Sequence, residues 1–219
     1  TDEQVLRELK AAGLDSLPGG GAEIFAPRVR KKICNDKCDA DRYLSIHRIA
    51  HGMGMRSNVT MLYGHIETAE ERVDHMLRAR ALQDETGGFQ AFIPLAFHPE
   101  NNQMRKLPAP SAADSLRVHA VARLVCDNIP HVKAFWVATG LEVAQTSLWF
   151  GVDDAELLEA VLLNSKLHIL AMEPDADKVE ALRRRWDAAG LYGKRVALHT
   201  GDALTFSAVP YLANLIFVS

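Results

Sequence analysis

The residues best suited to chemistry in this 219-residue sequence centre on Tyr63-Gly64-His65. They close the run 56–67, whose apolar, β-branched middle asks for a sheet. Glu67-Thr68 opens a strongly helical segment directly after it. A strand that ends in small and polar side chains before a helix is a strand-loop-helix unit whose loop can meet a ligand. A solvated turn would serve with Asn-Gly or Asp-Gly, so Tyr-Gly-His points to a ligand-facing role. A second candidate is Pro18-Gly19-Gly20-Gly21, where three glycines let backbone approach another group closely. It is neither a GxGxxG opening a helix nor a Walker loop with its lysine, and a flexible turn remains an open reading. His47 and His51 stand four apart, the spacing at which two imidazoles on one helical face share a metal ion. Arg48 follows His47 where a metalloprotease carries glutamate, so the pair reads as surface or groove histidines. There is no Gly-x-Ser-x-Gly elbow.

The elements that must position these groups follow from period and caps. Residues 3–12 read as a helix stopped by Gly13. Residues 28–37 are short and basic, and 41–51 carry helical spacing. The strand from Arg56 is followed by a helix over 67–83, which Thr86-Gly87-Gly88 stops. Residues 89–97 form a near-continuous apolar strand of the kind covered on both faces of a parallel sheet. A Pro-rich loop then leads to Ser111, which caps a helix through 127. A strand over 132–139, a turn at Gly140 and a helix over 143–150 complete the first part. Strand and helix alternate four times without hairpin signals, which predicts βα units on a parallel sheet. Four such units are half of an eightfold barrel, and the loops after the strands would share one mouth holding residues 19–21, 63–65, 97–101 and 139–140. Beyond residue 153 come a helix over 155–163, a strand over 167–172, a helix over 177–189 ended by Gly190, a strand over 196–198, then Gly201-Asp202 and a terminal strand. No linker separates the parts, so the expected fold is α/β with one mostly parallel sheet of about seven strands.

Hydrophobic residues at 48%, charge at 24% and a net charge of −3 describe an ordinary globular chain. They give no electrostatic case for nucleic acid or an anionic membrane. Arg183-Arg184-Arg185 reads as a solvated helical face. No apolar run approaches the ~18 residues needed to span a bilayer, and three cysteines fit a reducing cytoplasm better than a disulfide framework. The chain opens inside an amphipathic helix without Met and stops on a core-like strand, which reads as a fragment. Cys126, Met53, Met55 and Met61 read as packing residues, and Trp136, Trp149 and Trp186 occupy core-like positions.

Residues 9–25, with Leu17-Pro18-Gly19-Gly20-Gly21-Ala22-Glu23-Ile24-Phe25, together with Thr60-Met61-Leu62-Tyr63-Gly64-His65-Ile66-Glu67-Thr68, Gln83-Asp84-Glu85-Thr86-Gly87-Gly88-Phe89 and Pro94-Leu95-Ala96-Phe97-His98-Pro99, resemble the later part of aminofutalosine synthase, a radical SAM transferase of menaquinone biosynthesis. The likeness covers about residues 1–154, and the futalosine cyclase and deazaflavin synthases share its glycine and Tyr-Gly-His elements. The resemblance implies half of a radical SAM (β/α) barrel. It also implies S-adenosylmethionine and a 4Fe-4S cluster as cofactors, with the adenosyl radical adding to an enolpyruvyl ether on a benzoate. Gly20, Gly21, Glu23 and Asn58 would then lie near the adenosyl group. Arg56, Tyr63 and His65 would lie near the substrate, Arg56 as a bidentate carboxylate clamp.

The family holds its cluster on a Cys-x3-Cys-x2-Cys loop, and a cluster needs its thiolates. Cys34 and Cys38 have the first spacing, but Asp41 takes the third place and Cys126 is remote. The expectation is therefore no metal site, and a chain unable to start radical chemistry by itself. Residues 155–219 resemble part of a class I SAM-dependent methyltransferase. In that resemblance Glu173 binds a ribose hydroxyl pair and Asp202 the adenine edge, although the glycine-rich first strand is missing. A partial Rossmann-like segment would then continue the half barrel. The competing reading is a non-catalytic α/β chimera with residual nucleotide binding, associating through open sheet edges.

Overall fold

A computed structural model describes residues 1–152, 162–163, 169–173, 175–201 and 215–218. The chain divides into two compact units, Thr1–Val152 and Asp153–Ser219. The first contains α1 (Asp2–Ala11), β1 (Ser16–Leu17), α2 (Pro27–Ile33), α3 (Ala40–Gly52), β2 (Arg56–Tyr63), α4 (Ala69–Thr86), β3 (Phe89–Ala96), α5 (Ala112–Val125), β4 (His131–Val132), α6 (Trp136–Thr139), α7 (Leu141–Ser147) and a 3-10 turn at Leu148–Phe150. Three helices start at reciprocal capping boxes, Thr1 with Gln4, Thr68 with Glu71 and Ser111 with Asp114. Each satisfies two N–H groups that a helix start otherwise leaves unpaired. Pro27 opens α2, where its missing N–H costs nothing.

The four strands form a parallel sheet in the order β1-β2-β3-β4. The β2–β3 register places Val59 beside Phe92, Met61 beside Pro94 and Tyr63 beside Ala96. On this face Val59, Met61, Tyr63 and Phe92 are fully buried, and His75 of α4 packs edge-on to Phe92. The opposite face carries Asn58, Thr60 and Leu62 beside Ala91, Ile93 and Leu95. Side-chain alternation along a strand sends these to the other side, where Asn58, Leu62, Ile93 and Leu95 are half-buried. With Thr60 and Ala91 also buried on that side, β3 is fully covered on one face and partly covered on the other, short of the full cover expected. Beneath α1, Leu6, Ala50 and Met55 make a small core with Leu14, Leu17, Ile46, Ile49 and Met53.

In the second unit β5 (Ile169–Glu173), α8 (Ala176–Ala188), β6 (Val196–Thr200) and β7 (Leu215–Val218) are described. Its three strands are parallel in the order β6-β5-β7. Val179 and Trp186 are the buried face of α8. In place of the single sheet of about seven strands, the described residues form two sheets, one of four strands and one of three. The strand expected over 132–139 also shrinks to His131–Val132. Trp136 donates its N–H to Ala134 O and Gly140 to Trp136 O, so local bonds close a helical turn at the sheet edge. Trp136 and Trp149 are exposed rather than core. The helix expected over 155–163 falls mainly outside the described residues. Among the described residues no helix is long and apolar enough to cross a membrane.

Candidate functional site

A cavity of about 590 Å³ lies at the C-terminal ends of the first sheet. Leu62 from β2 and Leu95 and Ala96 from β3 contribute to it, with Phe97 and His98 just beyond β3. Glu23 reaches it from the loop after β1, Phe135 and Ala138 from the segment after β4, and Lys32 and Ile33 from α2. Asn102, Gln103 and Met104 complete the wall. Its size suits a small organic ligand. The shared mouth expected from a parallel βα arrangement is present: of the residues expected there Phe97 and His98 line it, whereas residues 19–21, 63–65 and 139–140 do not.

The glycine loop beside this mouth is held by its carbonyls. Tyr43 Oη donates to Gly19 O at 2.7 Å and Thr60 Oγ1 donates to the same oxygen at 2.8 Å. Arg30, buried among these groups, donates to Ala22 O at 2.5 Å, to Ile24 O and Gly21 O at 3.4 Å, and to Cys38 O. Gly19 has φ +84°, and a Cβ there would sit 2.3 Å from Asn58 O. The close approach anticipated from the triple glycine is thus to β2 backbone, made by Gly19. Gly20 is exposed, and neither it nor Gly21 has an atom within 4 Å of where a Cβ would stand. Glu23 follows at φ 45°, a sparsely populated conformation for a residue with a side chain. Its carbonyl accepts from Leu62 N at 2.7 Å, and its carboxylate pairs with Lys37 at 2.5 Å.

The Tyr63-Gly64-His65 loop is built around Glu67. One carboxylate oxygen accepts from Gly64 N at 2.6 Å and Arg72 Nε at 2.6 Å, and the other accepts from His65 N at 2.9 Å. The Glu67 and His65 side chains are fully buried. Burial opposes ionisation of Glu67, but the two backbone N–H groups and Arg72 outweigh it and hold the carboxyl below its ordinary range. His65 Nδ1 accepts from Ile66 N at 2.7 Å, so Nε2 carries the proton and donates to Leu62 O at 3.2 Å. Burial keeps this imidazole neutral by lowering its pKa, with Glu67 opposing. Gly64 has φ +90°, and a Cβ there would meet Pro110 at 2.7 Å. Tyr63 is buried on the helix side of the sheet, with the Arg72 guanidinium 5.9 Å from its ring centroid. Neither Tyr63 nor His65 lines the cavity, and their loop approaches it through Leu62.

The remaining sequence candidates fall in different places. Asn58 lies on the inner face of β2 beside the glycine loop, with Glu23 nearest the mouth. Arg56 begins β2 and donates to Gly87 O, six residues from Leu62, which is roughly 20 Å along a strand. Glu173 ends β5, is buried, and accepts from Asp175 N at 2.9 Å. Asp202 lies outside the described residues. Cys34 is buried and its thiol is pushed up by burial, while Cys126 is pushed up to about 12 by burial. Among the described residues no three His, Cys, Asp or Glu side chains are grouped to hold a metal ion. These cysteines do not offer the three thiolates a 4Fe-4S cluster takes.

Of the surface and groove readings of His47 and His51 the groove one fits, with His47 buried and His51 half-buried. His47 is 3% exposed, and its Nδ1 lies 2.8 Å from Ser57 Oγ, which lies 2.7 Å from His51 Nε2. His51 Nδ1 lies 2.7 Å from Thr86 Oγ1, which donates to Leu82 O. Their helix faces β2 instead of solvent, because Ser57 turns its side chain toward α3. Residues that the sequence reading passed over are Tyr43, Thr60, Arg30, Glu67 and Arg72. Glu67 was visible as an acid three residues after a loop glycine, whereas Arg30 looked like one more charge in a basic run.

Residues 86–166 match the family model "CofH/MqnC C-terminal region", running past the residue 154 at which the sequence likeness was expected to fade. The chain is 53% identical to an aminodeoxyfutalosine synthase of Thermus thermophilus over 78% of its own length and 46% of the relative's. It is 46% identical to the enzyme of that name from Streptomyces coelicolor, over 69% of the chain and 42% of the relative. It is also 41% identical to a cyclic dehypoxanthine futalosine synthase of Streptomyces coelicolor, over 83% of the chain and 48% of the relative. The chain spans about half the length of the curated relatives it matches.

Proposed function

We propose that this chain, which carries a CofH/MqnC C-terminal region and is similar to the later part of aminodeoxyfutalosine synthase, supplies the adenosyl- and substrate-facing half of a radical SAM (β/α) barrel. The reaction is transfer of the adenosyl radical from S-adenosylmethionine to an enolpyruvyl-oxybenzoate in menaquinone biosynthesis. The observation that carries this reading is the cavity at the C-terminal ends of four parallel strands. The 53% identity to an aminodeoxyfutalosine synthase supports this reaction. S-adenosylmethionine would supply the radical. Glu23, with its carboxylate at the mouth, is suited to accept from ribose hydroxyls, and exposed Gly20 and half-buried Gly21 leave room for an adenosyl group. Leu62, Leu95, Phe97 and Phe135 would exclude water around the substrate ring.

The cysteines of the described residues do not fit the cluster, so no step is assigned to it and the chain by itself is proposed inactive. Residues 155–219 are proposed as a partial Rossmann-like segment, supported by the parallel β6-β5-β7 sheet and by Glu173 at a strand end. The test is anaerobic reconstitution with iron and sulfide, with EPR and a titration of S-adenosylmethionine followed by ¹H–¹⁵N NMR. Shifts at Gly20, Gly21 and Glu23 without a 4Fe-4S signal are expected. A cluster signal that responds to S-adenosylmethionine would overturn the inactivity, and absence of any shift would overturn the adenosyl site.

A further inference from the structure

Most polar side chains at the mouth are already engaged. The Glu23 carboxylate is balanced by Lys37. The Asn102 amide donates to His98 O at 2.5 Å and accepts from Met104 N at 2.7 Å, which fixes its own loop. His98 Nε2 donates to Ala138 O at 2.9 Å. Of the other cations of α2, Arg28 is held by Glu71 and Ile66 O and Arg30 by the loop carbonyls, while Lys31 does not line the mouth. Lys32 differs from all of these. It lines the mouth and makes no ion pair or hydrogen bond among the described residues. With Glu23 neutralised by its partner, the uncompensated charge among the described residues of the mouth is the Lys32 ammonium, against a wall of Leu62, Leu95, Phe97 and Phe135.

An apolar slot with one free cation selects a flat apolar body that bears an anion. We infer that Lys32 is a specificity-determining residue that takes the carboxylate of an aryl carboxylate whose ring lies on those four side chains. The inference rests on the reading of this mouth as the substrate cavity. It assigns to Lys32 the role that residue type alone had given to Arg56, which stands at the far end of β2. A lysine in the last turn of α2 also complements the helix carbonyls, but that role affects stability and not the choice between a charged and an uncharged ligand.

The experiment uses the whole chain, labelled with ¹⁵N, and two probes of nearly equal shape, 2-naphthoate and 2-naphthamide. Naphthoate is expected to shift Leu62, Leu95 and Phe97 and to bind about tenfold more tightly than the amide, the size of one charge-assisted contact. Lys32→Met should abolish that preference, Lys32→Arg should keep most of it, and Arg56→Met should leave it unchanged. Equal binding of both probes, with Lys32→Met without effect, overturns the role of Lys32 and leaves the mouth as an apolar site. Loss of the preference in Arg56→Met instead overturns it in favour of Arg56. Failure of both probes to shift mouth residues overturns the inference together with the substrate cavity.

Discussion

Ser57→Ala tests the buried histidine chain between α3, β2 and α4. Because Thr86 Oγ1 donates to Leu82 O, it must accept from His51, so His51 carries its proton on Nδ1 and its Nε2 is an acceptor. Ser57 then donates to His51 and accepts from His47 Nδ1–H. Every proton in the chain has one direction. Alanine leaves a donor on His47 and an acceptor on His51 without partners beside the fully buried Ser57 position. Two orphaned buried groups at about 1–3 kcal/mol each put the cost near 3 kcal/mol. In a unit of this size that lowers Tm by roughly 6–12 °C. A pH series adds an independent readout. Burial, with the neighbouring His51 charge, holds His47 at about 4, against an ordinary value of 6.5. Burial and Arg56 lower His51. A histidine whose folded pKa is depressed contributes stability that is present above about 6.5 and lost as pH falls toward the folded value. His47 alone should therefore cost about 3 kcal/mol between pH 6.5 and 4. His75, held at about 3 by burial, and His119, also lowered by burial, act with the same sign. The measurement is thus a difference: urea unfolding of wild type and His47→Gln at pH 7.5, 6.0 and 5.0, followed by far-UV circular dichroism. The wild type should lose more stability on acidification. Parallel pH profiles, together with a Ser57→Ala unfolding free energy within about 0.5 kcal/mol of wild type, would refute the relay.

Glu67→Gln should destabilise the first unit by about 2–3 kcal/mol, because it weakens the bonds to Gly64 and His65 and leaves Arg72 without its buried anion; thermal melts at neutral pH measure it. Gly19→Ala places a Cβ against Asn58 O in a left-handed conformation, and should cost about 2–4 kcal/mol in urea unfolding. Ellman's reagent should react promptly with the partly exposed Cys38 in the native chain. Cys34 and Cys126, both buried with raised pKa values, should react only in denaturant. Prompt reaction of all three would contradict the packing around α2 and α5.

The elements legible in the sequence were those with local signals. Ser111 and Thr68 at helix starts, and the long apolar runs of β2 and β3, specify their own conformations within a few residues. The strand over 132–139 misled because Phe135, Trp136 and Val137 have high β-propensity, yet propensity cannot supply a neighbour at a sheet edge, and a local turn forms instead. His47 and His51 misled for a related reason. Their spacing is visible in one dimension, but the decisive partner is Ser57, which the α3–β2 turn brings back against them. Arg56 was credited as a clamp from its guanidinium chemistry, although it opens β2 and the mouth lies where Leu62 and Tyr63 end that strand.

Helix α2 shows why a basic run need not be one solvated face. Successive residues turn by about 100°, so positions two apart point in nearly opposite directions. Arg28 reaches Glu71 at the start of α4, Arg30 turns inward to the carbonyls of the glycine loop, and Lys32 turns to the mouth. The inward residue must be arginine, since a planar fork can serve several carbonyls at once where an ammonium cannot match the geometry. Arg30 closes the glycine loop from one side as Tyr43 and Thr60 close it from another. The loop beside Glu23 is therefore fixed before any ligand arrives, and the strained Glu23 backbone is sustained by bonds made elsewhere in the fold. The same helix thus sets the shape of the mouth with one side chain and its charge with another.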